Sequence, residues 1–185
     1  MPPSLPIRTE RLLLRPFVDD DFSALQDLYG RPEVVRWLYW EPLTADGVRQ
    51  LLDRIKPMTG IDDETDALRL AVVLPDSGEV IGDVSLRLKS REHAQGEIGF
   101  VLAPAHHGKG YATEASIALL RYGFEEVGLH RIIGTAELRN VASARVLERL
   151  GMRREGEFRE NEWVKGEWQG EVVYAMLAAE WQARS

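Results

Sequence analysis

Gly99-Phe100-Val101-Leu102-Ala103-Pro104-Ala105-His106-His107-Gly108-Lys109-Gly110-Tyr111-Ala112-Thr113-Glu114-Ala115 is the stretch whose reading decides the fold. Its first residues read as the end of a strand, its middle as a glycine-bearing loop, and its last as the start of a long helix. The first amides of a helix lack partners within it, and the helix dipole adds positive potential there, so such a loop is an anion site. Gly108 and Gly110 let the main chain approach a bulky anion, and Lys109 adds a positive charge. The implied ligand is a phosphate or pyrophosphate. Two other phosphate loops do not match. The P-loop needs Gly-Lys followed by Ser or Thr, but here Lys109 precedes Gly110. The dinucleotide fingerprint needs a third glycine where Thr113 stands. A strand–helix turn that uses its glycines for geometry alone stays open on the loop by itself.

Outward from this loop the chain alternates strands and helices. Residues 1–8 hold three prolines and read as a flexible, unstructured lead-in. Leu12 to Leu14 suggest a short strand, and three aspartates before Phe22, Ala24, Leu25 and Leu28 mark a helix start. Val34 to Trp40 form a short aromatic segment. Thr44 reads as the N-cap of a helix carrying Val48, Leu51, Leu52 and Ile55. Asp62, Asp63, Glu64 and Asp66 make an acidic loop. Strands are expected at 68–74, 80–88 and 96–102, a helix at 111–127, a strand at 131–137, a helix at 141–150 capped by Asn140, and a strand at 168–177. The order β-α-α-β-β-β-α-β-α-β-β predicts one mixed α/β domain over residues 1–185, with antiparallel hairpins before the first long crossover.

Composition narrows the function classes. The chain has 185 residues, 23 basic and 30 acidic side chains for a net charge of −7, and no cysteine. Disulfides, cysteine-based zinc sites and thiol nucleophiles are therefore excluded. No apolar run reaches the roughly 20 residues that span a bilayer, and the start lacks the basic-then-apolar order of a signal peptide. The expectation is a cytoplasmic protein with no membrane partner. The acidic balance disfavours direct nucleic-acid binding and favours a cationic or amine-bearing partner. His106-His107 has no helically spaced partner and no cysteine beside it, so no metal site is expected.

His107-Gly108-Lys109-Gly110-Tyr111-Ala112 resembles the Q/R-x-x-G-x-G/A loop of the GNAT superfamily of acyl-CoA-dependent N-acetyltransferases. Thr9-Glu10-Arg11-Leu12-Leu13-Leu14-Arg15 resembles the opening strand of its ribosomal-protein N-terminal acetyltransferase (Rim-type) branch. Gly82, Glu97-Ile98-Gly99-Phe100, Tyr111 to Ala115, Asn140-Val141-Ala142-Ser143 through Leu150-Gly151-Met152, and Tyr174 through Trp181 continue the likeness over nearly the whole chain. The resemblance implies the GNAT fold: a mixed, mostly antiparallel central sheet flanked by helices. It also implies acetyl-CoA as donor, an amine acceptor such as a peptide N-terminus or a small molecule, and a possible homodimer. The pyrophosphate would lie against His107 to Ala112 and the pantetheine arm against Phe100, Val101 and Leu102, with Asn140 and Ser143 beside it. Two positions depart from the pattern. His107 replaces the usual Gln or Arg, and Leu147 replaces a tyrosine that serves many relatives as general acid.

The implied reaction is direct attack of an amine on a thioester, and only a neutral amine attacks. At pH 7 an α-amino group of pKa about 7.8 is roughly one-seventh neutral, whereas a lysine is neutral about once in 2,500. An α-amine thus needs only a modest base. Glu97 and then Glu137 are the candidate bases, each with the alternative of an arginine-paired carboxylate. Ser143 is the candidate acid for the leaving thiolate or a cofactor contact, with helix capping as its alternative. Asn140 is a cap, a pantetheine contact, or both. Trp37, Tyr39 and Trp40 are candidate acceptor-binding residues or plain core aromatics. Glu155, Glu157, Glu160, Glu162, Glu167 and Glu171, with Arg159 and Lys165 the formal charges nearby in sequence, read as a solvated rim or a cation-attracting entrance.

Overall fold

The computed structural model describes residues 3–62 and 66–184. The chain opens on two short strands, β1 (Ile7–Arg8) and β2 (Leu13–Arg15), so the expected lead-in is structured at residues 7–8. The Thr9 hydroxyl accepts the Leu12 amide at 3.0 Å and the Thr9 amide donates to the Leu12 carbonyl at 3.0 Å. That tight turn pairs Ile7 with Leu14 and lays Leu5 and Ile7 on the core.

Three helices follow: α1 (Phe22–Tyr29), α2 (Pro32–Val35) and α3 (Ala45–Ile55). Thr44 caps α3 by accepting the Gly47 amide at 3.3 Å, and Val48, Leu51, Leu52 and Ile55 make its buried stripe. Three residues with a central glycine carry no periodicity, so β3 (Thr59–Ile61) was not expected from sequence. β4 (Asp66–Val73), β5 (Val80–Ser90) and β6 (Gln95–Leu102) then form antiparallel hairpins. Asp63 and Glu64 of the expected acidic loop lie outside the described residues. Asp66 begins β4 and pairs with Arg91 at 2.6 Å.

The helix expected over 111–127 is α4 (Tyr111–Arg121), followed by one wider turn over 122–126 in which the Val127 amide donates to the Tyr122 carbonyl at 3.0 Å. The widening draws Gly123 onto the sheet, where an added Cβ would stand 2.8 Å from Ile132 and 2.9 Å from Leu86. β7 (Arg131–Glu137) and α5 (Val141–Arg149) come next, and Asn140 caps α5 as expected. The predicted order ended on two strands and bounded only the last. The other is β8 (Arg153–Val164), a charged and mostly exposed edge paired to β9 (Glu167–Leu177), before α6 (Ala178–Gln182). Like charges and polar side chains on a long edge discourage pairing with another chain.

The sheet runs β1-β2-β4-β5-β6-β7-β9-β8 with β3 on the side of β4, and among the described residues only β6 and β7 are parallel. It is the expected mixed, mostly antiparallel architecture. Each face covers its own core. Leu119 and Leu120 of α4 and Leu147 of α5 pack with Leu68, Leu86 and Ile132, whereas α1 and α3 bury Leu25, Leu51 and Leu52 against Ala71 and Val73. Each such fully buried Leu or Ile contributes about 1.5–3 kcal/mol.

Candidate functional site

β6 and β7 are paired only from Gln95↔Arg131 to Glu97↔Ile133. Beyond that point β6 follows β5 to Gly82↔Leu102, while β7 follows β9 to Glu137↔Glu171. The sheet therefore splits, and the β6 edge from Ile98 to Leu102 faces β7 without a partner. Leu147 helps to hold the split: an added Cβ on Gly134 would stand 2.4 Å from the Leu147 Cδ2 and 3.4 Å from the Ile98 Cγ2. Leu147 is thus a buried packing residue, and no hydroxyl stands at that position.

One cavity of about 460 Å³ occupies the α4–α5 side of the split. Phe100, Val101 and Leu102 of the free strand edge line it, with His107, Gly108, Gly110, Tyr111 and Ala112 from the loop and helix start, and Asn140 and Ser143 from α5. Lys109 is exposed and absent from the lining. Gly108 (φ +75°) and Gly110 (φ +84°) take the left-handed conformation that favours glycine. The amides of Gly108, Lys109 and Gly110 find no acceptor among the described residues, and those of the first turn of α4 follow them. The space beside Gly108 is open to 4 Å. At the other end of the loop a His107 ring nitrogen donates to the Leu102 carbonyl at 2.8 Å, which ties the loop to the strand end. Unpaired amides above a free strand edge fit a ligand with an anionic head and an amide-bearing arm. The Asn140 Oδ1 accepts the Ser143 amide at 3.2 Å, and the Ser143 hydroxyl has no partner among the described residues. The buried Thr113 hydroxyl, also in the lining, is likewise unpaired.

A second cavity of about 660 Å³ adjoins the first through Trp37 and Leu38, which line both. Tyr39 and Trp40 line it too, together with Glu97, Glu137, Glu162 and Glu171. These four carboxylates differ. Glu97 pairs with Arg87 at 2.9 Å and Lys89 at 3.1 Å, and the Thr135 hydroxyl donates to it at 3.3 Å. Its burial works to raise its pKa, but the hydrogen bonds from Arg87 and Lys89 prevail and hold it below the usual carboxylate range. Glu137 accepts the Arg139 amide at 2.6 Å and the Arg139 Nε at 2.8 Å. Glu162 accepts the Tyr39 hydroxyl, whose pKa is pushed up by burial and then by this carboxylate. The Glu171 side chain has no hydrogen bond or ion pair among the described residues. Burial first, then the nearby charges of Glu162 and Glu97, raise its pKa above the ordinary value against a smaller opposing effect of Lys89.

The acidic segment is thus neither an unpaired rim nor a uniform entrance. Glu155 pairs with Arg131 and Arg153, Glu157 with Arg154 and Arg159, and Glu167 with Arg139. Arginines neutralise these glutamates, near in sequence for Glu157 and from other elements for Glu167 and, through Arg131, for Glu155, and Glu162 and Glu171 alone of the six line the second cavity. Glu171 was legible only as one glutamate of a run. Period 2 along β9 gave no sign that its neighbours would be carboxylates from other strands. No helix among the described residues is long and apolar enough to cross a membrane, and no cluster of metal-ligating side chains is found among them.

Comparison with known proteins agrees with this geometry. A family model, Acetyltransferase (GNAT) domain, matches residues 11–153, more than half the chain. The chain is 35% identical over 175 residues to the uncharacterized N-acetyltransferase YnaD of Bacillus subtilis (strain 168), covering 95% of this chain and 98% of that one. It is 27% identical over 185 residues to the [ribosomal protein uS5]-alanine N-acetyltransferase of Escherichia coli (strain K12), covering 97% and 94%. It is also 27% identical over 160 residues to the spermidine N(1)-acetyltransferase of the same organism, covering 86% and 82%. A GNAT-family acetyltransferase from Bacillus anthracis superposes with a TM-score of 0.83 at 34% identity, over 94% of this chain and 99% of that one.

Proposed function

The chain belongs to the acetyltransferase (GNAT) domain family, and from that premise we propose that it acetylates a primary amine admitted through the cavity of Glu97, Glu162 and Glu171. The observation that carries this reading is the junction of the two cavities at Trp37 and Leu38, on the side where β6 and β7 part. One cavity offers amides to an anion, and the other offers carboxylates to a cation.

Acetyl-CoA supplies an acetyl thioester, a carbonyl open to direct nucleophilic attack. The amides of 108–112 would hold its pyrophosphate, and the free β6 edge at Phe100–Leu102 would hold its pantetheine arm. An N–H of that edge is the donor available to charge on the thioester oxygen. On the acceptor side Glu171 is the best-placed base. Arginines and a lysine occupy Glu97 and Glu137, whereas Glu171 has no ion pair among the described residues and its raised pKa makes it a better proton acceptor than a paired carboxylate. The Ser143 hydroxyl, free and in the cofactor cavity, stands in for the tyrosine that Leu147 replaces, holding the proton that the leaving thiolate takes. Without a dedicated strong base, the chemistry favours an acceptor with a low amine pKa, and the α-amine of a peptide or protein N-terminus meets that condition. The carboxylates also suit a polyamine, which one relative's name specifies as its substrate.

A thiol-release assay over N-terminal peptides, polyamines and aminoglycosides, run beside calorimetry with CoA, tests the reading. Turnover on at least one amine class is the expected result. CoA binding with no turnover on any amine would make the chain a non-catalytic acyl-CoA-binding module. Displacement of CoA by ATP or NAD at comparable concentration would overturn the donor assignment.

A further inference from the structure

We infer that Arg11, which lines neither cavity, sets the orientation of the Lys109–Gly110 peptide plane and thereby builds the anion site of the glycine loop. The inference rests on the acetyl-CoA reading above. Arg11 lies in the turn before β2, about a hundred residues from the loop in sequence, yet its Nη1 donates to the Lys109 carbonyl at 2.9 Å. In a planar trans peptide the carbonyl of one residue and the N–H of the next point in opposite directions. A Lys109 carbonyl turned towards Arg11 therefore turns the Gly110 N–H away from it. Gly110 lines the cavity while Arg11 and Lys109 do not, so that amide faces the ligand side.

The plane needs a hold because its second residue is glycine. Gly110 has φ +84°, and a glycine accepts the opposite sign at little cost. A flip of this one plane would present a carbonyl oxygen to a phosphate in place of an N–H. The same guanidinium also neutralises Glu114, one turn inside α4. Its Nε donates to the Glu114 Oε2 at 2.7 Å and its Nη2 lies 2.6 Å from that oxygen, while the Arg11 amide and the Thr9 hydroxyl reach Oε1 at 2.8 Å and 2.6 Å. Glu114 is partly buried, which opposes ionisation, but the bonds from Thr9 and Arg11 prevail and keep it charged. Uncompensated, that charge would oppose the attraction of the helix start for an anion. The guanidinium lies 4.8 Å from the centre of the Tyr111 ring, which limits its swing. A lysine, a single point charge without the planar fork, cannot hold the carboxylate and the carbonyl together in this way.

The test compares two ligands that share an arm and differ in the pyrophosphate. In Arg11→Ala the dissociation constant for CoA, measured by calorimetry, rises at least tenfold. The constant for pantetheine, followed by NMR titration, stays within twofold of the unsubstituted protein. Arg11→Lys falls between the two proteins for CoA, and the Gly110 amide resonance of ligand-free Arg11→Ala moves as the plane reorients. Equal losses for CoA and pantetheine would reduce Arg11 to a fold-stabilising residue and overturn the inference, as would unchanged CoA affinity. A loss of CoA affinity with the Gly110 resonance unmoved would also overturn it, because the guanidinium would then be contacting phosphate itself. If Arg11→Ala does not fold, Arg11→Lys and Thr9→Val make the same CoA–pantetheine comparison. Absence of CoA binding by the unsubstituted protein would instead count against the acetyl-CoA reading, before any variant is measured.

Discussion

The two cavities share Trp37 and Leu38 but are made of different material. In the cavity proposed for the cofactor the anion-binding part is main chain: two left-handed glycines with unpaired amides, a helix start and a strand edge. The acceptor cavity is mainly side chain: carboxylates from β6, β7, β8 and β9, arginines from β4 and β5, and aromatics after α2. A site made of main chain depends on geometry and tolerates changes of side chain that leave φ and ψ alone. A site made of side chains does the reverse. Its properties come from which charges remain unpaired once the strands assemble.

The largest expected effect falls on the side-chain site. Glu171→Gln should lower turnover by roughly a hundredfold, the scale of a lost general base, with CoA affinity unchanged by calorimetry. Equal damage from Glu97→Gln and none from Glu171→Gln would transfer the role to the paired carboxylate. On the backbone site, Gly110→Val should raise the KM for acetyl-CoA by about tenfold or more while sparing the KM for the amine. A residue with a Cβ pays about 1–2 kcal/mol in the left-handed region, and here that Cβ would also stand 3.3 Å from the Arg11 Nη2. A shared rise in both constants would erase the distinction between the cavities.

The pH profile separates the carboxylates by sign. Because the pKa of Glu171 is raised, kcat/KM should fall as pH drops through a value above the ordinary carboxylate range, and Glu171→Gln should flatten that limb. The stability linkage of Glu97 runs the other way. Its folded-state pKa is lowered, so its contribution is present above the unfolded carboxylate pKa and is lost as pH falls through the folded value. Acid titration of unfolding in Glu97→Gln should show that loss missing. Ser143→Ala should slow turnover by about tenfold without loosening α5, because the cap is the Asn140 side chain. Normal rates would leave Ser143 as a helix residue only. The smallest effect should come from Lys109→Ala, whose side chain lies outside the lining. CoA affinity changing by more than about threefold, measured at physiological salt, would show that screened charge matters there after all.

Local physics explains what could be read in advance. The glycine loop, the helix after it, the Thr44 and Asn140 caps and the buried stripe of α3 each depend on residues within a few positions of one another. The misses have the opposite character. β3 is too short for a period, β8 carries charges where an apolar alternation would reveal a strand, and Ile7–Arg8 is ordered by pairing with Leu13 and Leu14 across the Thr9–Leu12 turn. The roles of Glu97 and Glu137 could not be resolved either, because the arginines and lysine beside them come into place only through strand register and turn geometry.

By itself, the sequence determined the mixed α/β fold, the family and the phosphate-type loop, since periodicity, caps and glycines act over a few residues and are written in order along the chain. Only the tertiary structure decided where the sheet splits, that Leu147 is packing in place of a catalytic hydroxyl, that Glu171 makes no ion pair among the described residues, and that Arg11 grips the loop from about a hundred residues away. The physical reason is that charge pairing and peptide orientation at a site are set by neighbours in space. The pattern of one segment does not contain them.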